Sequence, residues 1–204
     1  MSLVIHIGLR KTGTTFLQQA LNRNRAALSE CGLLYPDPGA GLQDGGGQAH
    51  HFLAHALLNW RVRYTPADSF DRLEYHTAAL RELIAPHPGT SVLSSEDFSR
   101  FTEGRIQALR ALFPGDDLRI LVYLRRQDLW LDALYGQALK VGRQPEMKAF
   151  LARNRDRLDY RGVLRRWGSV FGDDALIVRP YEGFEEGGLW QDFCTALDCP
   201  RADV

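Results

Sequence analysis

The sequence predicts an α/β fold in which a parallel β-sheet is flanked by helices on both faces. Three observations lead there. Short runs such as LVIHIG (Leu3 to Gly8) and RILVYL (Arg119 to Leu124) are apolar almost continuously, as strands covered on both faces are. Helical patterns separate those runs along the whole chain. The first run also enters a glycine-bearing loop that opens a helix, the usual setting for a ligand at the carboxyl end of such a sheet. With 204 residues, 45% of them hydrophobic and 25% charged, the chain suits a single domain spanning 1–204.

The strand at Leu3 to Gly8 is followed by a helix over Thr14 to Cys31, its apolar positions at Phe16, Leu17, Ala20, Leu21, Ala27 and Leu28 and its stop at Gly32. Residues 36–48 hold five glycines and two prolines and read as a Gly-rich loop. Helices are expected over Ala49 to Trp60 and Phe70 to Ala85, then a second strand over Thr90 to Asp97 that ends in acids. A helix over Arg105 to Phe113 stops at Pro114-Gly115, and Arg119 to Leu124 is the strongest strand. Helices over Gln127 to Lys140 and Tyr160 to Phe171, a fourth strand over Ala175 to Pro180 and a last helix over Gly188 to Leu197 complete the chain.

Lys plus Arg number 25 and Asp plus Glu 25, so the formal net charge is zero. That balance argues against wholesale attraction to nucleic acid or an anionic membrane and leaves room for a local basic cleft. One stretch is locally basic: Lys140 to Trp167 carries nine basic residues against three acidic ones. A solvated helix face and an attractor for an anionic ligand both fit it. No apolar run is long enough to span a membrane. The N-terminus shows no basic n-region and no cleavage site, so a cytoplasmic location is expected. Cys31, Cys194 and Cys199 are an odd set without metal-site spacing and read as small apolar residues in a reducing compartment. Oligomeric state is not legible.

The segment HIGLRKTGTTF, His6 to Phe16, carries the chemistry. Gly8 and Gly13 keep the spacing of a nucleotide phosphate loop, but position 14 is Thr and the lysine, Lys11, precedes the second glycine. Glycines allow a tight turn whose N–H groups, with the helix N-terminus, face an anion. Thr12, Thr14 and Thr15 add hydroxyls, and Arg10 and Lys11 add positive charge. In an NTPase the lysine after the second glycine reaches the outer phosphates and the next hydroxyl holds Mg²⁺. Here the cation approaches from inside the loop, where it can neutralise a bridging or leaving oxygen.

IHIGLRKTGTTFLQQAL resembles the 5′-phosphosulfate loop of sulfotransferases that use 3′-phosphoadenosine 5′-phosphosulfate (PAPS), closest to bacterial members related to the carbohydrate sulfotransferases. The resemblance implies a P-loop-containing, nucleotide-kinase-like fold and PAPS as co-substrate, with no metal required. It implies that Lys11 contacts the oxygen linking phosphate to sulfate, and that the Gly13, Thr14 and Thr15 amides hold the 5′-phosphate. In LVYLRRQDLWLDALY, Arg125 takes the family's 3′-phosphate arginine position and Tyr135 its aromatic. The serine of that pattern is Ala133 here, a departure that removes one hydroxyl; Arg126 is the candidate to replace it. A further basic or glycine-containing segment, implied over the adenine, has no obvious equivalent before Val204.

Sulfuryl transfer needs a base near the acceptor oxygen and positive charge on the leaving phosphate. Glu96, in SSED at the end of the second strand, is the first candidate, by position and because related sequences carry a comparable S-S-E. A turn-capping role for Glu96 and a metal-ligand role for Asp97 compete with it. His50 and His51 follow the Gly-rich loop and offer a second base, His51 above all, with His55 able to share the helix face. Leu33 to Pro36 and the Gly-rich loop are candidates for the acceptor entrance, and Trp60 beside Arg61 and Arg63 for stacking on a sugar. The reading is therefore a PAPS-dependent sulfotransferase acting on a small-molecule or carbohydrate hydroxyl. A nucleotide kinase or NTPase, told apart by Mg²⁺ dependence, and a catalytically degenerate binding protein of the same fold are its rivals.

Overall fold

The computed structural model describes residues 2–42, 47–58, 72–115, 117–143, 145–184 and 188–199. Part of the Gly-rich loop (43–46), the segment with Trp60, Arg61 and Arg63, and Phe70 lie outside the described residues.

Five parallel strands form the sheet in the order β2-β3-β1-β4-β5. They are β1 (Ser2–His6), β2 (Leu33–Leu34), β3 (Thr90–Ser94), β4 (Asp117–Leu124) and β5 (Leu176–Pro180). The central strand β1 pairs with β3 on one side, Ile5 opposite Leu93, and with β4 on the other, Ile5 opposite Ile120. Four strands match the expected apolar runs. The fifth, β2, is two residues long and pairs only with β3, Leu33 opposite Thr90. A pair of leucines has no period to read, which is why the sequence hides it.

Nine helices are seen among the described residues: α1 (Thr14–Arg23), α2 (Arg25–Glu30), α3 (His51–Leu58), α4 (Leu73–Ile84), α5 (Glu103–Leu112), α6 (Gln127–Lys140), α7 (Met147–Asn154), α8 (Tyr160–Phe171) and α9 (Gly188–Ala196). The helix expected over Thr14 to Cys31 is broken at Asn24. Its side-chain amide donates to the Ala20 carbonyl 2.8 Å away, and its φ of −112° and ψ of 19° leave helical geometry. Asn bonding to local backbone is a common way for a helix to end. Helix α7 is a second surprise. It is eight residues long, too short to show a clear apolar period, and it is started by Glu146, whose carboxylate accepts from the Lys148 and Ala149 amides.

Alternate residues of each strand feed two cores. Leu3, Ile5, Leu93, Ile120 and Val122 pack against α3, α4, α5 and α8 through residues such as Leu53, Leu80, Ile106 and Trp167. Val4, Val92, Leu121 and Tyr123 pack on the other face against α1, α2 and α9 through Leu17, Leu21, Leu28 and Phe193. Period-two burial on both faces is what makes the strands read as continuous apolar runs. Helix α9 is also pinned by a polar contact: Asp192 accepts from Tyr123 Oη at 2.7 Å and from Arg179 Nε at 3.1 Å. A smaller third core joins α6 to α7 through Trp130, Leu134 and Phe150. Among the described residues no helix is long and apolar enough to cross a membrane.

The chain leaves β1 toward β2 on one side, whereas β3 sends it across to β4 on the other. The carboxyl end of β1 is thus where connections diverge, and a crevice opens there in sheets of this kind.

Candidate functional site

The loop between β1 and α1 needs glycine at two places. A Cβ on Gly8 would lie 2.5 Å from Thr14 Oγ1, inside contact distance. Gly13 has φ +71°, and its Cβ would meet Leu189 Cδ2 at 2.2 Å. Lys11 also takes a left-handed φ, +66°, without being glycine. That conformation costs about 1–2 kcal/mol in an L-residue and must be held by its surroundings.

The surroundings hold it through carbonyls. Thr12 Oγ1 donates to the Leu9 oxygen at 2.6 Å and Thr14 Oγ1 to the same oxygen at 3.2 Å. Trp130 Nε1 donates to the Arg10 oxygen at 2.6 Å, and Arg125 Nη1 to the Lys11 oxygen at 3.1 Å. Three consecutive carbonyls are therefore engaged by side chains from the loop, from α6 and from the end of β4. The opposite edge of the backbone, its amides, stays available for a ligand. Helix α1 continues the pattern: its first intrahelical bond runs from Leu17 N to Gly13 O, Gly13 provides no side-chain cap, and the first turn has no acid. An anion suits those N–H groups and the positive end of the helix dipole.

A cleft of about 440 Å³ faces this arrangement. The loop lines it with Arg10, Lys11, Gly13, Thr14 and Thr15, and Glu96, Arg125, Gln137 and Tyr181 complete the wall. Of the donor-site candidates only Thr12 is missing. It is fully buried with its hydroxyl turned to Leu9, so its part is to lock the turn. The Thr14 hydroxyl is likewise committed inward, which leaves the Thr14 amide for a ligand. Arg125 reaches the cleft with its plane over Tyr181, 5.3 Å from the ring centre, and Nε 3.5 Å from Glu182 Oε1. Arg126 turns away to an exposed pair with Asp128 at 2.7 Å and does not replace the hydroxyl absent at Ala133. Tyr135 points to the α6–α7 core, its hydroxyl donating to the Pro145 carbonyl at 3.2 Å. Gln137, one turn beyond Ala133, is the α6 side chain that lines the cleft. No spacing argument singled it out.

Glu96 opens a 3-10 turn, Glu96–Arg100, after β3. The turn is capped by Ser95, whose hydroxyl accepts from the Asp97 amide at 3.3 Å, so Glu96 itself is not the cap. The Glu96 carboxylate lies 3.7 Å from Arg10 Nε. Both residues also line a second cavity, of about 220 Å³, so they stand between two spaces. A separate cavity of about 830 Å³ lies away from this end of the sheet, near Pro114 and Asp117, and shares no residue with the cleft.

The histidines divide into two kinds. His50 is fully buried, with Nδ1 accepting from the Ser94 amide at 3.1 Å, and burial pushes it down to about 3. It is a structural, neutral residue. His51 is partly exposed, hydrogen-bonded through Nδ1 to Ser95 Oγ at 2.8 Å and stacked on His55 at 5.8 Å. Burial lowers its pKa despite the nearby charges of Asp97 and Glu96. His51 does not line the 440 Å³ cleft. Beneath it, His55 Nε2 and Asp97 Oδ2 are 2.9 Å apart. Burial would raise the Asp97 carboxyl, but the His55 hydrogen bond and the charges of His55, His51 and Arg100 hold it below the ordinary carboxylate range.

Ligating atoms of His51, His55 and Asp97 lie within 4.8 Å of one another, a donor set that suits a transition metal or zinc. Each of the three already has a protein hydrogen bond, which ties α3 to the turn after β3.

No family model matches the chain. A stretch of 115 residues, 54% of the chain, is 35% identical to an uncharacterized protein of Archaeoglobus fulgidus and spans 31% of that protein's length. Among solved structures, a sulfotransferase from Alicyclobacillus acidocaldarius superposes with a TM-score of 0.60 over 98% of this chain and 82% of its own, at 18% identity. The likeness is one of fold.

Proposed function

We propose that the protein transfers the sulfuryl group of PAPS to an acceptor hydroxyl. The observation that carries the reading is the β1–α1 loop with its three engaged carbonyls, which leaves Lys11 and the Gly13–Thr15 amides on a cleft shared with Arg125 and Glu96. The fold likeness to a sulfotransferase agrees with it. In this reading the amides and the helix N-terminus hold the 5′-phosphate, and Arg125 holds the 3′-phosphate with Gln137 in the role of the missing hydroxyl. Lys11 neutralises the oxygen between phosphorus and sulfur. The acceptor oxygen attacks sulfur in line, the S–O bond to phosphate breaks with its electron pair on that oxygen, and the acceptor proton passes to Glu96. Adenosine 3′,5′-bisphosphate and the sulfated acceptor leave. A carbohydrate hydroxyl is the favoured acceptor.

Calorimetric titration with adenosine 3′,5′-bisphosphate, ADP and ATP, with and without Mg²⁺, tests it. The expected result is metal-independent preference for the bisphosphate, lost in Lys11→Ala. Preference for ATP with Mg²⁺ would make the protein a nucleotide kinase or NTPase and overturn the reading.

A further inference from the structure

The 220 Å³ cavity behind Glu96 is lined by four guanidiniums, those of Arg10, Arg100, Arg157 and Arg166, against the carboxylates of Glu96 and Asp156. They come from separate elements: the β1–α1 loop, the end of the turn after β3, the turn after α7, and α8. Arg166 is aimed by a backbone anchor, its Nε donating to the Phe101 carbonyl at 3.2 Å. Arg157 donates to Asn154 Oδ1 at 3.3 Å. Leu9, Trp130 and Val163 supply an apolar wall. Through Arg10 and Arg157 this space meets a groove of about 740 Å³ lined also by Arg143 and Arg153 and, among its described lining residues, by no carboxylate.

Like charges brought together from four elements repel, and an anionic ligand relieves that repulsion and gains charge-assisted hydrogen bonds. We propose that this arginine-lined groove binds an acceptor that itself carries an anionic group, a carboxylate or a phosphate or sulfate ester, while its hydroxyl reaches Glu96. The inference rests on the sulfuryl-transfer reading. It gives the locally basic stretch from Lys140 to Trp167 a job beyond solvation, since Arg143, Arg153, Arg157 and Arg166 all belong to it.

The test uses the whole chain saturated with adenosine 3′,5′-bisphosphate, so that the donor cleft is filled. Glucuronate is titrated against glucuronamide, and glucose 6-phosphate against glucose, on the wild type and on an Arg153→Gln/Arg157→Gln variant. Both arginines are exposed, so the variant should fold, which unchanged bisphosphate affinity verifies. The anionic member of each pair is expected to bind about tenfold tighter or more to the wild type, the scale of one or two charge-assisted bonds. The gap should shrink severalfold in the variant and with added salt. The two pairs tell carboxylate from phosphate. Bisphosphate binding without any preference for the anionic members overturns this inference alone. Absence of bisphosphate binding overturns the donor reading, and the inference falls with it.

Discussion

The Arg125 guanidinium donates through Nη1 to the Lys11 carbonyl 3.1 Å away, across 114 positions of sequence. A residue at the end of β4 thereby holds the backbone of the one non-glycine loop residue with a left-handed φ. If Arg125 holds a phosphate as proposed, that bond couples phosphate binding to the loop geometry. Arg125→Ala should weaken adenosine 3′,5′-bisphosphate binding by about tenfold to a hundredfold, the scale of hydrogen bonds to charged groups. Arg125→Lys should recover little, because an ammonium cannot serve the carbonyl and a phosphate in one plane. Glu182, 3.5 Å from Arg125 Nε, competes with any anion for the same guanidinium. Glu182→Gln should tighten the bisphosphate by up to about fivefold, the upper worth of a partly exposed pair. Calorimetry on the three variants decides between these outcomes.

Lys11 combines a charge aimed at the cleft with a strained backbone, so two substitutions separate the two. Lys11→Gly relieves the left-handed strain and Lys11→Ala keeps it. The glycine variant should be the more stable of the pair by about 1 kcal/mol in urea unfolding. Both should lose turnover. Equal stability would mean that the loop relaxes out of the left-handed region once the lysine is gone.

Acid should destabilise the fold through buried imidazoles. Burial holds His6 at about 4 and His50 at about 3, against about 6.5 in an unfolded chain. Between those values the unfolded state binds protons that the native state refuses, so stability rises with pH there and is lost on acidification. Each histidine contributes up to about 1.4 kcal/mol per pH unit across its window. Asp97 has a depressed pKa, so its contribution is complete above the unfolded carboxylate value and is lost as pH falls from there through the folded one, under the pH range in which the urea midpoints are followed. Urea midpoints measured from about pH 7 down to pH 4.5 should fall steadily. His50→Asn, whose amide oxygen can accept from the Ser94 amide as Nδ1 does, should remove the His50 share of that slope and leave the shares of His6, His51 and His76, which burial also lowers.

What the sequence revealed and what it hid follow from the reach of each signal. Apolar runs exposed four strands because each is sandwiched between two cores, and the glycine spacing exposed the loop because Gly8 and Gly13 answer to local sterics. Glu96 was legible as the polar end of an apolar run. Contacts between distant segments left no such mark. Trp130 reads as a core residue and is one, at 3% exposure, yet its indole N–H also fixes the Arg10 carbonyl. Gln137 is one polar residue in a mixed helix until α6 is set against the cleft. The pairing of His55 with Asp97, and the turning of Arg126 toward Asp128, depend on side-chain directions that no periodicity encodes.

In the proposed function, the choice of base between Glu96 and His51 turns on what each touches. Glu96 belongs to the wall of the loop cleft and to that of the arginine-lined cavity, the position a base needs between a donor and an acceptor. His51 has Nδ1 committed to Ser95 and stands outside the cleft. Glu96→Gln keeps the size and hydrogen-bonding of the side chain while removing its ability to take a proton. It should lower kcat by about a hundredfold to ten-thousandfold, the usual worth of general-base catalysis. Bisphosphate affinity should change by no more than about threefold, because the Arg10 contact it alters is a long, partly exposed pair. His51→Gln should leave kcat within about tenfold of the wild type, since it would disturb only the hydrogen bond to Ser95 that supports the turn. The reverse pattern, a silent Glu96→Gln beside an inactive His51→Gln, would transfer the proton to the imidazole and require the acceptor to approach over α3.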